Sequence, residues 1–172
     1  MADKKALIVI DMQNDYLWDK RKAKFSYDTK TLVDEVNKTI HGFAQQGGDV
    51  IYIAQVFPDL PTNRLFIGFS IKGTQGAEFY SGLDVVSDHY FEKNLPDSFT
   101  AKKFREFMQK QDYSEIYVCG VDLCGCVGAT ALGAAKVCKK VFLVQSATGC
   151  RYDGKKQSRK KSVLERAGVT FI

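Results

Sequence analysis

Five apolar residues in a row, Ala6-Leu7-Ile8-Val9-Ile10, end abruptly at Asp11. An uninterrupted apolar run of this kind reads as a strand buried on both faces, as in a parallel sheet. The period then changes. Between Thr29 and Gln46 the apolar positions Leu32, Val36, Ile40 and Phe43 recur every three to four residues, a helical stripe closed by Gly47-Gly48. Val50 to Ala54 predicts a second buried strand, and His89 to Glu92 a third. A helix follows from about Ser98 to Gln111, with Phe104, Phe107 and Met108 inward. Ile116 to Gly120 is the fourth strand, Cys126 to Val137 a helix rich in Ala and Gly, and Val141 to Val144 and Val169 to Ile172 the last two strands, with a Lys/Arg-rich helix between them. The segment 56–87 has little periodicity and holds two of the three prolines, which predicts a long functional loop.

Strands that alternate with helices pair in parallel through right-handed crossovers, so the sheet is covered on both faces. The expected architecture is a three-layer α/β fold with a mainly parallel six-stranded sheet in the order 3-2-1-4-5-6, formed as one domain over residues 1–172. Such sheets bind ligands at the carboxyl ends of their strands, where strand order reverses. That rule singles out Asp11, Gln55, Lys93 and residues 121–126, each directly after a strand's last apolar position.

Composition narrows the classes. Of 172 residues, 45% are hydrophobic and 26% charged, which fits a globular domain and excludes a disordered chain. No run of 18 apolar residues exists and the five apolar residues before Asp11 are too few for a signal peptide, so the expected setting is soluble and cytoplasmic, without a membrane. Residues 155–172 carry six basic side chains against one acidic, which accounts for the whole net charge of +5. Without an aromatic platform such a run reads as the solvated face of a helix, not as a nucleic-acid surface. The five cysteines, at 119, 124, 126, 138 and 150, are odd in number and match no zinc spacing, so a reducing compartment is expected and a metal is not.

The segment Val118 to Thr130 runs from a strand through a Gly-bearing turn into a helix. A cysteine at a helix start can have its thiolate stabilised by unpaired backbone N–H groups, which can also hold an oxyanion. Cys126 has that position, whereas Cys119 lies mid-strand and reads as a small buried hydrophobe. Papain-like and α/β-hydrolase triads need a His after the nucleophile, but His41 and His89 both precede Cys126. The groups left at strand ends are the carboxylate of Asp11 and the amine of Lys93. A thiol beside a helix terminus and a lysine is expected to have a lowered pKa, with Asp11 as proton acceptor.

Asp11-Met12-Gln13-Asn14-Asp15-Tyr16 after an apolar strand, Lys93 ahead of Ser98-Phe99, and Gly120…Cys126-Val127…Thr130-Ala131, taken in this order, resemble the isochorismatase-like cysteine hydrolases. That superfamily includes nicotinamidases and N-carbamoylsarcosine amidases. Gly73-Thr74-Gln75-Gly76-Ala77-Glu78 is similar to a loop these proteins carry before the lysine strand, and the resemblance spans nearly the whole chain. It implies an Asp11–Lys93–Cys126 triad, a cis peptide at Val121–Asp122, and an oxyanion hole made by the backbone N–H groups of Asp122 and Cys126. It also implies a pocket-lining Tyr16, which Gln55 and Phe57 join as candidate pocket residues, and a homodimer or homotetramer.

The sequence departs from the family in three places. Nicotinamidases carry an Asp-x-His-Pro metal motif where this chain has Gln55-Val56-Phe57-Pro58, so no metal and no cofactor is expected. True isochorismatases lack the cysteine, so Cys126 points to amide chemistry. Leu123 and Ser146 stand where Thr and Asp are usual. The expected function is a metal-independent cysteine hydrolase of a small amide or carbamoyl compound, acting through a thioester. The alternatives are a catalytically silent binding or scaffold domain, and a redox thiol protein using Cys124 and Cys126.

Overall fold

The computed structural model describes residues 4–172. Its six strands are β1 (Lys5–Ile10), β2 (Asp49–Gln55), β3 (Tyr90–Lys93), β4 (Glu115–Val121), β5 (Val141–Gly149) and β6 (Val169–Phe171). They form one sheet in the order β3-β2-β1-β4-β5-β6, with every neighbouring pair parallel. The helices are α1 (Asn14–Leu17), α2 (Thr29–Gln45), α3 (Pro61–Phe66), α4 (Lys102–Gln111), α5 (Cys126–Ala135) and α6 (Gly154–Arg166). No helix among the described residues is long and apolar enough to cross a membrane.

The unbroken apolar run of β1 now has its reason: alternate residues serve two cores. Ala6, Ile8 and Ile10 pack with Ile51, Ile53 and Val118 under α4, α5 and α6, where Phe104, Met108, Val127, Ala131 and Leu164 are buried. Leu7 and Val9 face the other way, onto Leu32, Val33, Val36 and Ile40 of α2 and onto Tyr16 and Phe25. A strand with polar residues on one face would leave one of these layers without a floor. Asp28 starts α2 by accepting a hydrogen bond from the Thr31 N–H at 3.2 Å, the usual device for satisfying a helix's first donors.

Apart from shifts of one or two residues at element ends, four features differ from the sequence reading. The segment after Asp11 turns into the short α1, and Pro61 starts α3 inside the segment expected to be loop. Proline at the first helical position has no N–H to leave unpaired. The helix expected from Ser98 begins at Lys102, because Ser98–Thr100 form a separate 3-10 turn capped by Asp97. Strand β5 continues five residues beyond Val144, through polar and partly exposed positions that end the apolar signal but not the ladder.

The register brings the strand ends together. Gln55 lies opposite Lys93, and Ile10 lies between Ile53 and Gly120. Gly120 has φ 108°, and a Cβ there would collide with the Ile10 carbonyl oxygen. Only glycine lets β4 pass so close to β1. Strand order reverses between β1 and β4, the crevice this topology offers a ligand.

Candidate active site

Asp11 leaves β1 with φ 55°, a left-handed conformation that Asp tolerates better than most residues, and its N–H donates to the Ile53 carbonyl at 2.9 Å. The turn carries the carboxylate over the end of the sheet. Lys93, the last residue of β3, meets it there: Nζ donates to Asp11 Oδ2 at 2.9 Å and to Gln55 Oε1 at 2.6 Å. The two side chains are 1% and 2% exposed, so this ion pair is dry. The second carboxylate oxygen, Asp11 Oδ1, is buried without a partner, as is Gln55 Nε2. That leaves a buried carboxylate oxygen with a free acceptor site in the cavity that Cys126 also lines.

Cys126 is the first residue of α5, reached through the turn 122–125. Its Sγ lies 3.8 Å from Gln55 Oε1, and Asp11 and Lys93 are the two charged groups acting on it. The peptide Val121–Asp122 is cis. The Asp122 carboxylate ties the turn down, accepting from the Cys124 N–H at 2.8 Å, the Arg151 N–H at 2.7 Å and the Tyr27 hydroxyl at 2.9 Å. The backbone N–H groups of Asp122 and Cys126 find no acceptor among the described residues, so both remain available at the helix start.

The Ser98-Phe99 pair also finds its place. Ser98 is fully buried; its N–H donates to Thr130 Oγ1 at 3.1 Å and its hydroxyl lies 2.8 Å from the same oxygen. The chain leaving Lys93 is thereby fastened to the helix that carries Cys126. Gln13 does the same for Gln55: its Nε2 donates to the Gln55 carbonyl at 2.9 Å and its Oε1 accepts from the Gln55 N–H at 2.9 Å.

A cavity of about 210 Å³ opens over these groups, and Asp11, Tyr16, Gln55, Phe57, Asp122 and Cys126 all line it. Phe25, Tyr27 and Phe69 complete an aromatic wall, and Arg151 borders it with its Nε buried and unpartnered. Sequence reasoning missed Arg151. It lies two residues beyond the end of β5, near the edge the strand-end rule points to, but the polar residues Gln145, Ser146 and Thr148 hid where that strand ends.

The thiol itself corrects an expectation. Burial, then the Asp11 carboxylate, push its pKa well above that of a free cysteine, and Lys93 offsets only part of this. Lys93 stays protonated: burial disfavours its charge, but Asp11 and Cys126 raise its pKa on balance. The resting site is therefore a neutral thiol beside a Lys93–Asp11 ion pair, not a standing thiolate. The lysine's charge is already matched by the carboxylate.

At the carboxyl end of β2, where a metal motif would fall, the donor set does not fit a cation. Gln55 Oε1 is committed to Lys93, and Phe57 lies in the aromatic wall, 6.0 Å from the Phe69 ring centre.

The chain matches the isochorismatase domain family over residues 5–170. It is 26% identical over 141 residues to a protein of Arabidopsis thaliana named probable inactive nicotinamidase, covering 75% of this chain and 71% of that one. An uncharacterized isochorismatase family protein of Bacillus subtilis is 25% identical over 140 residues, covering 79% and 74%. Among solved structures, a pyrazinamidase of Pyrococcus horikoshii in complex with zinc superposes with a TM-score of 0.84 at 22% identity, covering 98% of both chains. An N-carbamoylsarcosine amidase from Thermoplasma acidophilum gives 0.80 at 24% identity, covering 98% of this chain and 95% of that one. These structural likenesses concern the fold.

Proposed function

Because the chain belongs to the isochorismatase family, we propose that it is a metal-independent cysteine hydrolase of a small amide or carbamoyl compound. One observation carries this reading: Asp11, at the end of β1, and Cys126, at the start of α5, line one aromatic-walled cavity, and Lys93, at the end of β3, is ion-paired to that Asp11.

The substrate carbonyl enters above Cys126. Asp11 Oδ1 takes the thiol proton as sulfur attacks, so the thiolate exists only while it is being used. Lys93 holds the carboxylate in place and limits the cost of negative charge on sulfur. The tetrahedral oxyanion is held by the N–H groups of Asp122 and Cys126. Asp11 returns the proton to the departing nitrogen, and ammonia or an amine leaves a thioester on Cys126. Water, deprotonated by the same carboxylate, then attacks the thioester and releases the acid and the thiol. A site that starts from a neutral thiol suits this order, since a standing thiolate would leave Asp11 no proton to pass on.

The walls restrict the substrate. Tyr16, Phe25, Phe57 and Phe69 favour a flat or apolar body, and the Arg151 guanidinium, which lies over the Phe25 and Tyr152 rings with its Nε buried and unpartnered, suits a carboxylate or carbonyl acceptor on it. The test is an ammonia-release screen of small amides and carbamoyl compounds, with and without a carboxylate. On any substrate turned over, Cys126→Ala should abolish activity and Cys124→Ala should keep most of it. Retained turnover in Cys126→Ala would end the reading. A silent domain, as the name of the Arabidopsis relative has it for that protein, would leave every compound intact.

A further inference from the structure

Cys124 and Cys150 take no part in the chemistry above. Cys124 sits in the turn 122–125, and Cys150 is the first residue after β5; both are free and partly exposed. Their Sγ atoms are 3.8 Å apart, already in van der Waals contact, where a disulfide holds sulfurs at about 2.05 Å. Cys126, two residues from Cys124, turns its sulfur toward Gln55 instead. The dithiol that spacing alone would draw between Cys124 and Cys126 is therefore replaced by a pair from two different segments.

Those segments are already in register. Leu123 N–H donates to the Gly149 carbonyl at 2.9 Å, and Arg151 N–H to Asp122 Oδ2 at 2.7 Å, one bond on each side of the sulfur pair. Asp122 completes a cluster within 4.8 Å of both sulfurs, but its two oxygens already accept three hydrogen bonds, so it offers little to a cation. The surroundings are cationic instead: Cys124 lies in a groove bordered by Lys155, Lys156, Arg159 and Lys160 of α6. Such a rim gathers small anions.

We propose that Cys124 and Cys150 are a modification site, forming a reversible disulfide with a small anionic disulfide as oxidant, drawn in by the basic groove. Cys124 loses its proton to solvent and its sulfur attacks one sulfur of the oxidant, expelling the first thiolate and leaving a mixed disulfide. Cys150, deprotonated in turn, attacks the Cys124 sulfur and expels the second. Two protein thiols are oxidised and one small disulfide is reduced to two thiols. The new bond ties the turn that carries the Asp122 and Cys126 N–H groups to the end of β5. Cys124 is held at about 11 by burial, then by Cys150 and Asp122, with Lys160 acting in the opposite sense; exchange is accordingly slow at neutral pH and faster in alkali.

The test treats the full chain with glutathione disulfide, or with neutral hydroxyethyl disulfide, at low and high salt. Free thiols are capped, and tryptic peptides are read by mass spectrometry. Peptide 111–136 should become linked to peptide 141–151, several-fold faster with the anionic oxidant than with the neutral one at low salt, and the advantage should shrink in salt. Cys124→Ser and Cys150→Ser should lose the link, Cys126→Ser should keep it, and reduced glutathione should reverse it. A link inside peptide 111–136, stable glutathione adducts alone, no oxidation, or equal rates with both oxidants would overturn the proposal. The effect on turnover rests on the hydrolase reading: activity should fall on oxidation and return on reduction. The peptide map needs no substrate, so failure of either idea is seen separately.

Discussion

Replacing Asp11 by Asn keeps the side chain's size and removes its charge, which isolates what the carboxylate does for the fold. In the wild type Lys93 Nζ has two partners, Asp11 Oδ2 at 2.9 Å and Gln55 Oε1 at 2.6 Å, with the lysine and aspartate side chains 1% and 2% exposed. Asp11→Asn leaves a buried ammonium with neutral amides only. Losing one partner of a buried pair typically costs about 3–5 kcal/mol, because the remaining charge is uncompensated, whereas exchanging both partners for neutral groups is often close to neutral. Asp11→Asn should therefore lose about 3–5 kcal/mol of unfolding free energy, and Asp11→Asn combined with Lys93→Met should regain most of it. A domain near the middle of the ordinary stability range, about 10 kcal/mol, stays folded through that loss. Urea unfolding followed by circular dichroism at pH 7 measures all three. The pH dependence has a definite sign. The Lys93 pKa is raised by folding, so its stabilising contribution is complete below the unfolded lysine value of about 10.4 and disappears as pH rises through the folded value. On the alkaline side, any stability advantage of the wild type over the double variant should shrink above that pH. Asp11→Asn as stable as the wild type, or a double variant no better than the single, would refute the claim that a dry ion pair holds this site.

The Cys126 thiol, kept neutral by burial and by Asp11, should alkylate about tenfold faster per pH unit from neutrality upward without a plateau below pH 9; a flat profile there would mean a standing thiolate. Asp11→Asn should also lower turnover on a confirmed substrate by about a hundredfold or more, the scale of a lost general base. Gly120→Ala should cost at least about 3 kcal/mol in the same urea assay, since its Cβ meets the Ile10 backbone and its φ is 108°. Elemental analysis should find no stoichiometric zinc, iron or manganese, because Gln55 and Phe57 offer no ligand set; one metal per chain, lost together with activity on chelation, would contradict this. Leu65 and Phe66 of α3 are 77% and 80% exposed, so light scattering should give a homo-oligomer that Phe66→Glu weakens, and a wild-type monomer at all concentrations would count against it.

Local pattern carried most of the fold because a parallel sheet between two helical layers demands unbroken apolar strands, and helices of period 3.6 must lie between them. Ala6–Ile10, short and rich in β-branched residues, reads as such a strand, and the expected order 3-2-1-4-5-6 is the one the sheet adopts. The same logic points to Asp11, directly after a doubly buried strand, and to Lys93 at the end of β3, while Cys126 is singled out by its place at the start of α5. Packing decided what depends on partners distant in sequence. Strand β5 extends to Gly149 because β4 pairs with it, not because Gln145, Ser146 or Thr148 favour a core, and that extension sets Arg151 beside the cavity and Cys150 against Cys124. The protonation of Cys126 is likewise a sum over burial and two charges delivered by other strands. A cysteine at a helix start is visible in one segment; the balance of fields upon it exists only once β1, β3 and α5 converge.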